Sequence, residues 1–470
     1  FTKILLIGCL LVTVSCNNWL DVEPKSQVKD KDLFASEMGF KEALSGVYSL
    51  MTKEALYGKE LTFGWLGVLG QEWTSVPYNY EDDQKYDFEN AASEVRIDSV
   101  WTGLYNAIAN ANKLLKELEG KENLFSGDNY FIIKGEVLAL RAYLHFDLLR
   151  IFGASCTVGM ERIAIPYVTE YAPTIFPQEK VGDFVGKVLK DLQDAAKCLE
   201  NDPILTGCTV SEIDDNGYLM NRQVHLNYYA VKGLMARVYL YKGDYANAEV
   251  CAKEVIGSGC FEWVKQENLT NESVADLTFS TEHLFALNIV TLGNIVDKYL
   301  DGGNNSFALE ESRLSEYYGS SYDYRYLYLF KTGVGMSNTL RYLKKYDQLE
   351  SVSWAQSYRN KLPLICLPEM YYILAECRYH SSGDVLEPLN EVCRHRGVAD
   401  LSEADLSAFE TLLLAEYRKE VIGGGQLFFQ YKRLNRSVVP GTDVDLAGEG
   451  RYVIPMPKEE LENPGWVSNQ

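Results

Sequence analysis

"ARVYLYKGDYANAEVCAKEVI", residues 236–256, decides how the rest of the chain is read. Tyr239 is followed four residues later by Gly243, and Ala248 stands five beyond that, with Asp244, Tyr245 and Ala252 between and after them. This is the spacing of a tetratricopeptide helical hairpin. Gly243 can turn the chain, Asp244 can cap the second helix, and Ala248 lets two helices approach closely. "AECRYHSSGDVLEPLNEVCRHRG" repeats the first half through Tyr379, Gly383 and Asp384, but Pro388 stands where the small residue belongs. Residues 139–200 fit a third hairpin whose turn is replaced by a longer loop.

Outward from these segments the strong periodicity is helical. Trp101, Leu104, Tyr105, Ile108, Asn112 and Leu115 share a face, as do Phe40, Leu44, Val47, Tyr48 and Met51. Val137, Leu140, Leu144, Leu148 and Ile151 form a third stripe, and Gly153 follows where a left-handed C-cap is expected. A further helix is expected near 180–199. Strand signals are short, around "YVIPMP" and "HLFALNIV". The expected fold is therefore mostly α. Helical hairpins near 130–200, 225–257 and 368–396 form a scaffold, decorated by long loops (about 60–95, 200–222 and 265–340) and a few short strands.

The N-terminus reads differently. The apolar run Ile4–Val14 is eleven residues long, whereas a membrane span needs about twenty. It suits the apolar region of a secretory signal, with Lys3 before it, and Phe1 in place of Met suggests that the chain starts late. Thr13-Val14-Ser15-Cys16 has the form of a bacterial lipobox, so residues 1–15 are expected to be removed and Cys16 lipidated at the head of a tether, 16–30. An acyl chain contributes roughly 0.8 kcal/mol per buried methylene, so a multiply acylated cysteine anchors firmly. No later stretch reaches eighteen uninterrupted apolar residues, so the membrane is met through the lipid alone.

Composition narrows the function classes. The 470 residues carry 45 Lys and Arg against 66 Asp and Glu, a formal net charge of -21. Such a surface disfavours nucleic acid and anionic lipid. Thirty-two tyrosines exceed what core packing alone asks for and suit surfaces that meet polar, partly apolar ligands. Beyond Cys9 and Cys16 eight cysteines remain, and eight allow 105 pairings. Without a C-x-x-C they read mainly as buried thiols, notably Cys366 and Cys377. No nucleophile elbow, zinc-binding H-E-x-x-H, Walker loop or dinucleotide fingerprint occurs, so no catalytic residue, metal or cofactor is expected. "CRHRG" reads as a basic helix end. The acidic pairs Asp82-Asp83, Asp214-Asp215 and Glu310-Glu311 read as solvated loops.

Several blocks together have a familiar form: "CNNWLDVEPKSQ" after the lipobox, "WTGLYNAIANANKLL", "GEVLALRAYLHFDLLRIFG" with "IPYVTE", "LPLICLPEMYYILAEC" and "YVIPMPKEELENPG". In this order they resemble the SusD-like (RagB/SusD) outer-membrane lipoproteins of Bacteroidota. The resemblance implies a surface-exposed, lipid-anchored, non-enzymatic protein with a single α domain over 31–470. It also implies capture of glycans or peptides and delivery to a SusC-like TonB-dependent transporter. One block departs. In "GGGQLFFQYKR" the residues Gly424, Leu427 and Gln430 occupy places where the family carries charges, which implies the removal of one ion-pair network.

A sugar offers C–H faces to aromatic rings and hydroxyls to amides and carboxylates. "QEWTSVPYNYEDDQKYDF" has that mixture, which nominates Trp73, Tyr78, Asn79, Tyr80, Asp82 and Asp83. "YLDGGNNSF" adds Asn304, Asn305 and Phe307, whereas "YYGSSYDYRYLYLF" is too dense in aromatics to be left exposed. A surface hydrolase whose carboxylates converge only in the fold, and a structural or adhesive surface protein, remain the alternatives.

Overall fold

The computed structural model describes residues 31–206, 217–271, 274–303, 305–333, 339–348 and 358–469. The expected signal segment, the expected lipidation at Cys16 and the expected tether, with Asp214-Asp215 and Asn304, lie outside them.

The scaffold is built of helices: α1 (Glu37–Met51), α2 (Ala91–Leu118), α3 (Asn129–Phe152), α4 (Val181–Cys198), α5 (Tyr228–Lys242) and α6 (Tyr245–Ile256). It continues with α7 (Leu367–His380), α8 (Leu386–His395), α9 (Phe409–Val421) and α10 (Leu427–Arg433). The strands are few and short. β1 (His283–Asn288) pairs antiparallel with β5 (Lys361–Cys366), and β4 (Leu340–Leu343) lies between β2 (Leu309–Glu310) and β3 (Phe330–Thr332).

The hairpin α5–α6 forms as its sequence dictates. Asn227 caps α5 by accepting from the Ala230 N–H, and Gly243 takes a left-handed φ of 80° that a side chain would oppose. Asp244 then caps α6 on Asn247 N–H, and Ala248 is fully buried between the helices. α3 pairs with α4 across a long loop, and α7 with α8 across a short one. In that last turn the left-handed residue is Ser382, not Gly383.

From Gly135 to Phe152 α3 is buried on every side, so its polar residues there need internal partners. Arg141 grips Asp191 through Nε and Nη2, at 2.7 and 2.8 Å. Glu136 accepts from Arg222 at 2.6 Å and from Tyr48 at 2.9 Å. One apolar cluster runs from Phe34 to Met456, and a smaller one joins Tyr372, Leu389, Phe409 and Leu413.

Three expectations change. Gly153 is extended, with φ −100° and ψ 164°, not left-handed. Glycine relieves crowding there, since a Cβ would stand 2.6 Å from Leu149 Cδ1 and 3.0 Å from the Leu149 carbonyl oxygen. Residues 452–457 form no strand; Asn469 instead bonds the Ile454 carbonyl and the Met456 N–H, occupying the positions of a strand partner. Asp83 is not solvated but fully buried. The departed block still holds charge: Arg433 pairs with both oxygens of Glu376 at 2.7 Å, and Gln430 accepts from Arg433 through its amide oxygen. A neutral carbonyl thus serves where a carboxylate would add a surplus charge. Among the described residues every cysteine is a free thiol, Cys377 buried and Cys366 half-buried. The basic end of α8 is as expected for Arg394 and His395, yet Arg396 is fully buried between Glu282 and Glu420.

Candidate functional site

The two nominated stretches meet in space. Ser75 and Ala308 exchange backbone hydrogen bonds of 3.0 and 2.9 Å, which stitches residues 71–88 to the segment ending in Phe307. Their junction is a core, however. Phe307 has no exposed surface and packs among Trp73, Tyr80, Phe63 and Tyr299, with ring centroids 5.1 to 6.4 Å away. Trp73 donates its indole N–H to the Phe63 carbonyl at 2.7 Å. Tyr80 donates to Glu60 at 2.8 Å. These three rings, with Asp83, support the surface and do not face solvent.

A buried ion cluster sets the loop's shape. Asp83 accepts from the Trp65 indole at 2.9 Å and from the Arg96 guanidinium. Arg96 also lies 3.5 Å from Glu60, and its guanidinium carbon sits 3.9 Å from the centre of the Tyr80 ring. Burial pushes the Asp83 carboxyl up to about 6, against the pull of Arg96, Ser93 and Trp65. The helix that carries Arg96 starts where it must: Asn90 caps α2 by accepting from the Ala92 and Ser93 N–H groups.

Tyr78, Asn79, Asp82 and Asn305 remain outside. Tyr78 is 87% exposed. Its neighbour Asn79 borders an open cleft of about 520 Å³ with Lys59, Glu60, Val95, Arg96 and Ser99. Lys59 stands 2.8 Å from Glu60 and 4.6 Å from the Tyr299 ring centre. Burial works against its ammonium, but Glu60 and Tyr80 together outweigh it and raise the pKa. The cleft therefore offers fixed donors and an amide beside one free aromatic face. Its carboxylates are held by cations and Tyr80, which leaves the geometry suited to binding. Among the described residues no group of His, Cys, Asp and Glu could hold a metal ion.

Lys59, Glu60 and Arg96 were not nominated from sequence. Arg96 was nevertheless visible as a cation inside the buried stripe Ser93, Ile97, Val100 and Leu104, a placement that demands a buried partner.

A second cleft, of about 420 Å³, lies further along α2. Trp101, Tyr105, Phe176 and Trp466 line it with Asn106 and Glu460. Trp101 donates to Glu460 at 3.0 Å, Tyr105 to the Pro166 carbonyl at 2.9 Å, and Trp466 to the Phe176 carbonyl at 3.2 Å. His145, behind it, takes a hydrogen bond from Val168 N–H on Nε2 and contacts the Arg141 carbonyl through Nδ1, each at 2.9 Å. Burial pushes its pKa down to about 3, so the ring is neutral with the proton on Nδ1.

Comparison with known proteins places this architecture. A family model described as SusD-like, "Starch-binding associating with outer membrane", matches residues 18–240. SusD-like protein P38 of Formosa agariphila is 24% identical over 258 residues, which is 55% of this chain and 45% of that protein. SusD-like protein P25 of the same organism is 24% identical over 149 residues, 30% of this chain and 28% of that protein. The chain thus matches less than half the length of these curated relatives.

Solved structures agree in fold. A SusD superfamily protein from Bacteroides thetaiotaomicron superposes with a TM-score of 0.74 at 22% identity, covering 93% of this chain and all (100%) of that one. Another from Bacteroides vulgatus gives 0.72 at 21%, covering 92% and 98%. A laminarin-binding SusD-like protein gives 0.65 at 18%, covering 92% and 100%. Over residues 18–240 the chain resembles the SusD-like family, and its fold is the mostly helical, hairpin-built scaffold of the SusD-like structures.

Proposed function

We propose that the protein captures saccharides without cleaving them, as a lipoprotein anchored through Cys16 in the outer membrane and facing the cell exterior. It then passes them to a SusC-like TonB-dependent transporter. The observation that carries the binding reading is Tyr78, 87% exposed beside Asn79 at the edge of the Lys59–Glu60–Arg96 cleft. A free ring next to fixed donors is what a sugar's C–H face and hydroxyls require. Asp82 and Asn305 are the further polar contacts in this reading, while Trp73, Tyr80, Asp83 and Phe307 hold the loop from beneath. The match of residues 18–240 to a starch-binding family model and the fold likeness to a laminarin-binding protein support a glycan over a peptide. No described helix is long and apolar enough to cross a membrane, which fits attachment by lipid.

Calorimetry of the full chain with laminarin oligosaccharides, other neutral oligosaccharides and peptides tests the reading. Retention without product, weakened in Tyr78→Ala, supports it. Cleavage of any probe, or binding indifferent to Tyr78, overturns it. Mass spectrometry of the cell-derived N-terminus checks acylation of Cys16, and co-purification with a large β-barrel checks the transporter.

A further inference from the structure

A separate cavity of about 410 Å³ opens where α3 ends, bounded by residues 154–162, the end of α10 and residues 446–453. Lys432, Arg162 and Arg451 line it against the single carboxylate Glu449. The chain as a whole has the opposite balance, 45 Lys and Arg to 66 Asp and Glu. Basic residues have gathered in one hollow of an acidic protein.

The donors in it are under-used. Lys432 is 1% exposed. Its ammonium donates to the Arg150 and Ile151 carbonyls at 2.7 and 3.2 Å, in the last turn of α3, where the helix dipole favours a cation. That occupies two of its three protons. Among the described residues no carboxylate forms an ion pair with Lys432, and burial together with Arg150 lowers its pKa well below the usual value. The Ser155 hydroxyl is 2% exposed and has no hydrogen-bond partner among the described residues. Arg162 has no ion-pair partner among them either. Its stem is seated against Gly159, where a Cβ would stand 2.6 Å from Arg162 Cγ. Arg451 is committed only loosely, to Glu449 at 3.3 Å and to the Tyr86 carbonyl at 3.4 Å.

A helix cap explains Lys432 but not the orphaned, buried Ser155 hydroxyl, while the exposed Arg162 and Arg451 add cationic donors at the mouth. Buried donors without acceptors are costly, and an oxyanion supplies acceptors only. We propose that this cavity binds the anionic group, carboxylate or sulfate ester, of an acidic saccharide. Lys432 and Ser155 would meet it at the base and Arg162 and Arg451 at the mouth. The apolar wall of Phe88 and Tyr452 suits the ring that carries the charge. The volume lies within the range of small-molecule pockets. The inference rests on the glycan-capture reading only for the sugar, since the anion site stands on its own residues.

The test uses the full chain and calorimetry with glucuronate, glucose 6-sulfate, inorganic sulfate and glucose at fixed ionic strength. At least one charged sugar is expected to bind about tenfold or more tightly than glucose, and Arg162→Gln with Arg451→Gln to remove that margin. Ser155→Ala should weaken it with the fold intact. Preference for glucuronate assigns a uronic acid, and preference for the 6-sulfate a sulfate ester. Equal binding of glucose and both charged sugars, or a margin that survives the double substitution, overturns the proposal. Inorganic sulfate binding as tightly as either charged sugar overturns its saccharide part. Laminarin binding that depends on Tyr78 but ignores Arg162 and Arg451 keeps the two sites distinct. Charged-sugar binding without any neutral-glycan binding sinks the earlier reading and leaves this one standing.

Discussion

One helix, α2, carries two clefts that solve opposite problems. Around Arg96 the aromatic rings already have their faces covered, with the Tyr80 ring under a guanidinium and Phe307 among four other rings. What reaches solvent is a charged border and the single ring of Tyr78. Nine residues on, about 14 Å along the axis, Tyr105 and Trp466 stay half-exposed while their N–H and O–H groups are tied to carbonyls. The lining of the first cleft holds no aromatic ring, whereas Trp101, Tyr105, Phe176 and Trp466 line the second. They differ in which ring faces are uncovered and in which polar atoms are still unspent.

Acid separates them most strongly. His145, behind the aromatic cleft, keeps a pKa of about 3 when folded, whereas an unfolded chain takes that proton near 6.5. Its contribution to stability is therefore full above 6.5 and is lost as pH falls toward 3, by about 1.4 kcal/mol per unit. Asp83 works the other way. Its carboxyl titrates near 6 when folded and near 3.9 when unfolded. Its contribution is full below 3.9 and lost as pH rises through 6. Nitrogen-15 NMR of the histidines should show His145 neutral and Nδ1-protonated at pH 5, and carbon-13 spectra should show one aspartate titrating near 6. A histidine at this site that protonates near 6.5 would erase the contrast.

Removing the ion cluster is the next largest effect. Asp83→Ala strips Arg96 of its closest carboxylate and leaves the Trp65 indole N–H without an acceptor. Denaturant unfolding should register a loss of about 3 kcal/mol. Tyr78 should show no such cost, since its side chain is in solvent. Tyr78→Ala is expected to leave the midpoint within about 0.5 kcal/mol of the parent and to weaken oligosaccharide binding about tenfold. A large stability loss with unchanged binding would mean that the exposed ring has no ligand.

How much of this could be read from the chain depends on the range of the interactions. The α5–α6 hairpin was legible because Gly243, Asp244 and Ala248 act on neighbours within a few residues. Residues 73–83 were legible as a polar aromatic loop, but their junction with 305–307 was not, since it is made by backbone bonds between Ser75 and Ala308 far apart in sequence. Which of their rings faced outward was not, because Arg96 is what covers Tyr80, and it comes from a helix in the following segment. The same holds for Lys432, whose acceptors lie 281 and 282 residues away. Period reveals a face, and only the assembled fold reveals what lies over it.

The smallest expected effect is the most discriminating between the clefts. Asn106 is exposed at the aromatic cleft and accepts from Asn110 at 3.4 Å, a bond that a carboxylate can also accept. Asn106→Asp therefore keeps the local geometry, removes an amide donor and sets a second negative charge beside Glu460. Stability should stay within about 0.5 kcal/mol. If sugar is held at Tyr78, oligosaccharide affinity should stay within about twofold, roughly 0.4 kcal/mol. A tenfold loss would relocate the sugar to the rings of Tyr105 and Trp466, where the lost amide and the added charge would both be felt. Uncovered ring faces would still decide where the sugar sits, with the roles of the two clefts exchanged.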